Sequence, residues 1–346
     1  MSLKNVRDHK ATKIANTPQL IQWHYNYESG DFLTSTDIHY FDAHADTITL
    51  AMENGKSLFK NDLHLDFSRL LEFDHPIVQV FAIYLSEKYL DNAFEYTNSA
   101  IDFFKKEAAA FSDIIAIARN IDDIEENAKN NKISAILALE GGESLEGKIE
   151  NLEHFYNRGI RLVTLTWSRE NELGYGVGGA PDAGLKPFGL EILRKMNELG
   201  IIVDVSHLNI AGFRDVQKYS SKPFIASHSN SFSITPHMRN LEDWQVAAII
   251  KSGGIIGINL CPFFLDKNEN ACMDSVIKHV KRFIELGAEK NMVLGCDLDG
   301  VETLPAGFED VVSIKTLADK LATTFGQEIK EAIMSENFYK FLQSNF

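Results

Sequence analysis

Cysteine is scarce in this chain. Three residues in 346, Cys261, Cys272 and Cys296, are odd in number and too few to staple a fold, so a disulfide framework is excluded and a reducing compartment is the simpler setting. Long apolar runs are missing too. No stretch approaches the roughly 20 residues that a membrane-spanning helix needs, and residues 1–30 carry Lys4, Arg7, Lys10 and Lys13 without the apolar core of a secretory signal. The expectation is a cytoplasmic protein with no membrane partner. Basic charge is in deficit, with 34 Lys and Arg against 49 Asp and Glu and a formal net charge of -15. Such a surface repels nucleic-acid phosphate and anionic lipid, and is compatible with a bound cation. Neither a linker nor a solenoid-length repeat interrupts the chain.

Patterning begins at His39. Residues 1–38 are polar and aperiodic, with Trp23, His24, Tyr25 and Tyr27 as the means of packing an N-terminal arm on the main body. Beyond them, eight short β-prone runs recur: 39–46, 77–85, 133–139, 161–167, 201–206, 223–227, 254–260 and 292–296. Helical patterns fill most of the intervals, at 91–111, 121–130, 150–158, 187–199, 209–219, 242–251 and 273–287. Residues 47–74 match a simple helix poorly, and 308–343 read as two or three closing helices. Apolar strands alternating with helices indicate a parallel sheet covered on both faces. Eight such units over 39–346 indicate one closed (β/α)8 TIM-like barrel domain.

In such barrels chemistry gathers where strands end and the following loops begin. Five metal-binding side chains fall there: His44 and Asp46 after the first run, Glu140 after the third, His207 after the fifth and His228 after the sixth. Alternation puts His44 and Asp46 on one face, a two-toothed claw suited to Zn²⁺ or a similar ion. A single histidine in a chain of 11 is ordinarily structural. Five suitable side chains at four strand ends, each behind an apolar run that would bury an unliganded polar group at real cost, are hard to obtain from packing alone. Five are also too many for one tetrahedral catalytic zinc, and they suit two ions with Glu140 as the bridge between His44 with Asp46 and His207 with His228.

Asp297, at the end of the eighth run, is the candidate general base or proton shuttle, close to the metals without being needed as a ligand. Asp299 reads as a residue that holds a ligand or a loop. Arg239 is the candidate clamp for a substrate carboxylate. The run Gly174-Tyr-Gly-Val-Gly-Gly179 has dinucleotide-motif spacing, but it begins after the fourth strand and opens no helix, so it reads as a loop beside the site, with Tyr175 in reach of substrate.

With these residues laid out, the chain from about His39 onward resembles the membrane dipeptidase (renal dipeptidase) family of metallopeptidases, peptidase family M19, a branch of the amidohydrolase-like barrels. The likeness rests on Asp42-Ala-His44-Ala-Asp46, Leu139-Glu-Gly-Gly-Glu-Ser144, Arg161-Leu-Val-Thr-Leu-Thr166, Asp204-Val-Ser-His207, Ser227-His-Ser229, Arg239-Asn240 and Gly295-Cys-Asp-Leu-Asp-Gly300. It implies two Zn²⁺ on His44, Asp46, Glu140, His207 and His228 with Glu140 bridging, Arg239 on the substrate's C-terminal carboxylate, and Asp297 handling the amino end and the proton. Animal members carry a substrate-contacting His where Trp167 stands, and bacterial relatives look similar to this chain there. Trp167 is therefore a candidate substrate contact without that oxyanion role. Leu298 replaces a usual Phe, and Phe341-Leu-Gln-Ser-Asn-Phe346 is not the apolar tail of anchored members. A homodimer is a further expectation from the likeness.

The expected activity is dipeptide hydrolysis, in which a hydroxide bridging two ions about 3.5–4 Å apart attacks the peptide carbonyl. Altered loops on one scaffold change substrate without changing metals, so a metal-dependent amidohydrolase acting on N-acyl amino acids, lactams or lactones is the alternative. A metal- or peptide-binding protein without catalysis is a third, which the full ligand set and Asp297 argue against.

Overall fold

The structure is a computed structural model that describes residues 39–268 and 270–346. The arm expected over 1–38 lies outside the described residues. The described chain runs β1 (His39–Asp42), α1 (Thr47–Glu53), α2 (Phe67–Leu70), β2 (Asp74–Tyr84), α3 (Ala93–Ala110), β3 (Ile115–Ile117), α4 (Ile121–Lys129) and β4 (Ile133–Glu140). It continues with α5 (Ile149–Arg158), β5 (Ile160–Thr164), α6 (Pro187–Leu199), β6 (Ile202–Asp204), α7 (Ile210–Tyr219), β7 (Phe224–Ile225), α8 (Asp243–Ser252) and β8 (Ile256–Ile258). The last elements are α9 (Pro262–Leu265), α10 (Met273–Glu285), β9 (Met292–Leu294), and α11 (Ile314–Phe325), α12 (Gln327–Glu331) and α13 (Asn337–Asn345), the last two joined by a π turn.

All strand pairs are parallel, in the order β7-β6-β5-β4-β2-β1-β9-β8. The ring closes between β7 and β8 through the bridge from Ala226 to Ile256, where the Ala226 N–H donates to Ile255 O at 3.0 Å and the Gly257 N–H to Ala226 O at 2.8 Å. This is the (β/α)8 barrel that the alternation predicts, with one strand more. β4 begins four residues ahead of the point where β5 joins it, and β3 covers that open edge by pairing with Ile133–Ala135. An uncovered edge is a template for aggregation, so the three-residue Ile115–Ile117 strand, too short to show a period, has a clear physical task.

β4 lies between β2 on one edge and β3 with β5 on the other, and all eight of its residues are buried. That explains its unbroken run Ile-Ser-Ala-Ile-Leu-Ala-Leu-Glu, ending in the one charge the centre needs. Glycine matters where β7, β8 and β9 meet. A Cβ on Gly257 or Gly295 would stand 1.8 or 1.9 Å from the Ser227 carbonyl oxygen, so only glycine lets these backbones close on the residue that precedes His228.

Regular strand structure stops earlier than the apolar runs do. β1 ends at Asp42 and not Asp46, β5 at Thr164 and not Trp167, and β6 at Asp204 and not Ser206. The residues beyond keep only isolated ladder contacts, such as Asp46 N–H to Leu298 O at 2.9 Å and Ala82 N–H to Ala45 O at 2.8 Å. Their side chains are thereby freed from strict alternation and turn inward over the barrel. Among the described residues no helix is long and apolar enough to cross a membrane.

Candidate metal centre and active site

Two buried aspartates form the floor. Asp42 accepts the His44 N–H at 2.9 Å and the Cys296 N–H at 3.2 Å, tying the end of β1 to the residue before Asp297. Asp204 does the same on the other side. It accepts the Ser206 and Ser227 N–H groups, each at 2.9 Å, and the Thr164 and Ser227 hydroxyls, each at 2.6 Å. These bonds tie the residue before His207 to the residue before His228. Both aspartates belong to the sequence motifs, yet their task did not show there. The available signal was an acid inside an apolar strand run, which must find several donors to be buried at all.

Above the floor the five expected ligands converge, all buried. His44 Nε2 lies 3.5 Å from Asp46 Oδ2 and 3.8 Å from Glu140 Oε1, and Glu140 Oε1 lies 3.0 Å from His207 Nε2 and 3.6 Å from His228 Nε2. The two imidazoles of His207 and His228 face each other, Nε2 to Nε2, at 2.9 Å. All three imidazoles approach the same Glu140 oxygen, and the His44 ring packs on that of His228 with centroids 3.8 Å apart. Asp297 Oδ1 is 3.8 Å from His44 Nε2, and it joins His44 and Asp46 in one group of converging ligand atoms, while His44, Glu140 and His228 make another. The carboxylate expected close to the ligands lies within 4.8 Å of both His44 and Asp46.

The chemistry of this set calls for cations. His44 Nε2 and Asp46 Oδ1 are buried without a hydrogen-bond partner, which native proteins rarely tolerate. Burial pushes Glu140 well above the usual carboxylate range, with Asp46 adding to it. Asp297 rises to about 7 by burial, opposed by His44 and reinforced by Asp46. Burial alone would lower His44, but Asp46, Glu140 and Asp297 outweigh it and bring it to about 10. His207 and His228 are held well below their ordinary value by burial, hence neutral and open to a metal. Three buried carboxylates with so little compensation, beside neutral imidazoles, fit divalent ions of the zinc type.

Backbone geometry aims two of these groups. His207 and Asp297 have φ of 67° and 60°, left-handed values that cost a non-glycine residue on the order of 1 kcal/mol and gather at functional sites. Asn259, just past β8, is fully buried and was not marked by the sequence. Its Nδ2 donates to Asp297 Oδ2 at 3.0 Å and to the His228 carbonyl at 3.3 Å. Asp299 accepts the Thr47 hydroxyl at 2.5 Å and the His64 N–H at 2.6 Å, holding the loop after β1 as expected of a supporting residue.

A cavity of about 360 Å³ opens over the ligands, within the range of roughly 300–1,000 Å³ for small-molecule sites. Asp46, Glu140, His207, Arg239, Asp297 and Trp167 are among the residues that line it. Arg239 is buried, donates through Nη2 to the His228 carbonyl at 3.3 Å, and leaves Nε without a partner. Trp167 stacks on His207 with ring centroids 5.8 Å apart, and Tyr84 packs beside it at 5.4 Å. Tyr175 is not among the lining residues. Its ring lies under Lys186 Nζ at 5.1 Å, and its carbonyl accepts the Asn209 N–H, while Gly176 and Gly178 of the same run donate to the Arg169 and Ser168 carbonyls. That run opens no helix and, as expected, is a loop.

A closed parallel barrel with a histidine–carboxylate cluster at its carboxyl rim defines a metal-dependent hydrolase of the amidohydrolase type. The profile of the membrane dipeptidase family, peptidase family M19, matches residues 33–345, and the chain belongs to that family. It is an enzyme of the metallo-dipeptidase class. Among solved structures, a metallopeptidase from Rhodobacter sphaeroides, liganded with a phosphinate mimic of the dipeptide L-Ala-D-Ala, superposes with a TM-score of 0.83 at 26% identity, covering 90% of this chain and 100% of that one. A second metallopeptidase, dipeptidase AC of family M19, gives 0.83 at 27% identity over 89% and 99%. An uncharacterized dipeptidase from Schizosaccharomyces pombe is 29% identical over 250 residues, which is 70% of this chain but 60% of that protein.

Proposed function

We propose that the enzyme hydrolyses dipeptides with two zinc ions, one on His44 and Asp46, the other on His207 and His228, and Glu140 bridging them. When bound, such ions polarise the scissile carbonyl and make an attacking water acidic enough to act at neutral pH. The chain's own residues do the rest. Arg239, buried with an unpaired Nε, holds the substrate's carboxylate. Asp297, with Oδ1 3.8 Å from His44 Nε2 and on the cavity wall, takes a proton and passes it to the leaving amine. The convergence of His44, His207 and His228 on one oxygen of Glu140, with Asp46 beside His44, is the observation that carries this reading.

Elemental analysis beside a dipeptide panel, on wild type and Glu140→Ala, tests it. Two zinc ions per chain with hydrolysis lost in the variant is the expected result, and one ion per chain defeats it. Asp297→Asn with normal zinc and only a few-fold loss of turnover would remove the proton role. Trp167 on the cavity wall favours a second reading, an amidohydrolase on another amide or ester; faster turnover of N-acyl amino acids than of dipeptides would select it. The three unpaired cysteines fit a reducing, cytoplasmic setting. A homodimer, expected from the family likeness, is tested by sedimentation.

A further inference from the structure

β2 and β7 stand on opposite sides of the ring, with β6, β5 and β4 between them one way round and β8, β9 and β1 the other. Arg239 comes from the loop after β7, whereas Tyr84 ends β2 and Ser86 follows it on the facing wall of the same cavity. A dipeptide whose carboxylate meets Arg239 and whose scissile carbonyl lies over the ligands therefore turns its N-terminal residue toward the β1–β2 wall. That placement rests on the dipeptidase reading.

One face of α1 completes this wall. Asp46, Thr49, Leu50 and Glu53 all line the cavity, at the spacing of residues that share one side of a helix. Two turns separate Glu53 from Asp46, roughly 10 Å along the axis, so its carboxylate stands at the mouth while Asp46 stands at the centre. Between them the wall presents Leu50 and Tyr84, with Trp167 packed on Tyr84 and the small polar Thr49 and Ser86 beside them. A channel with aliphatic and aromatic faces and a carboxylate at its outer end suits a side chain with an aliphatic stem and a cationic head. Glu53 is held in place by the Tyr96 hydroxyl at 2.7 Å. Its other oxygen pairs at 2.7 Å with Lys88, whose side chain is 58% exposed, and a pair that open to solvent is weak and readily exchanged.

We propose that the β1–β2 wall is a subsite for a basic N-terminal residue, lysine or arginine, with Glu53 receiving the cation in exchange for Lys88. The test compares kcat/KM for lysyl-alanine and for norleucyl-alanine, which keeps the stem and lacks the charge. It uses the zinc-loaded wild type, Glu53→Gln and Lys88→Ala, with Tm recorded for each. Wild type is expected to favour lysine about tenfold, Glu53→Gln to erase most of that ratio, and Lys88→Ala to raise it. No preference in wild type, or one that neither variant moves, overturns the subsite while leaving the dipeptidase intact. Hydrolysis of neither dipeptide by zinc-loaded protein overturns both.

Discussion

Asn259 holds Asp297 by one carboxylate oxygen. The 3.0 Å bond from Nδ2 to Oδ2 leaves Oδ1 facing His44 Nε2, and the same amide nitrogen reaches the His228 carbonyl. One buried side chain thus spans the two halves of the centre. Groups that orient a ligand are typically worth about 10–100-fold in metal affinity or activity. Asn259→Ala is expected to lower kcat on that scale with a much smaller change in KM, since Arg239 is untouched. A change in KM alone would show that Asn259 serves substrate binding instead.

Asp204 fastens two ligand-bearing loops with four short hydrogen bonds. Asp204→Ala leaves the Ser206 and Ser227 N–H groups and the Thr164 hydroxyl buried and without that acceptor, at about 1–3 kcal/mol each before relaxation, while the Ser227 hydroxyl keeps His228 Nδ1 at 2.7 Å. Urea unfolding of the zinc-loaded variant is expected to show a loss of at least about 3 kcal/mol. A loss below about 1 kcal/mol, the size of an average substitution, would mean that the rim holds itself.

Removing metal exposes the charge problem of the empty cluster. Chelation is expected to abolish activity and lower Tm by several degrees, because an ion that binds only the folded state stabilises it by mass action. Readdition is expected to restore both at two equivalents of Zn²⁺ per chain by titration calorimetry. Recovery complete at one equivalent would contradict the binuclear assignment.

His279 supplies a pH prediction away from the metals. Its Nδ1 accepts the Ser231 N–H at 3.0 Å and its Nε2 faces the Leu265 carbonyl at 3.2 Å, which requires a neutral ring with the proton on Nε2. Burial lowers its pKa to about 4. Below 6.5 the unfolded chain binds the proton that the folded one refuses. The contribution is therefore complete above about 6.5 and is lost as pH falls toward 4, by on the order of 3 kcal/mol in all. The slope of stability against pH between 6.5 and 4 should be shallower in His279→Gln; an unchanged slope would assign acid sensitivity elsewhere, the half-buried His75 being the next candidate at about 4.

The amino-acid sequence by itself determined the alternation of buried strands and helices, and with it the eight-stranded barrel and the strand ends that carry His44, Asp46, Glu140, His207, His228 and Asp297. Each of these is a local signal: a run of apolar residues followed directly by a metal-binding one. Tertiary structure alone decided what depends on closure and register. It set Asn259 against Asp297, 38 positions apart in the chain, and brought Asp297 beside His44 and Asp46 from across the β1–β9 seam. It gave Asp42 and Asp204 their partners on neighbouring strands and covered the open edge of β4 with β3. It also turned one face of α1, with Glu53, toward the cavity. Such pairings join residues distant in the chain, and no local propensity encodes which of them meet. They follow from the ring of strands closing, which fixes at once which loop faces which across its rim.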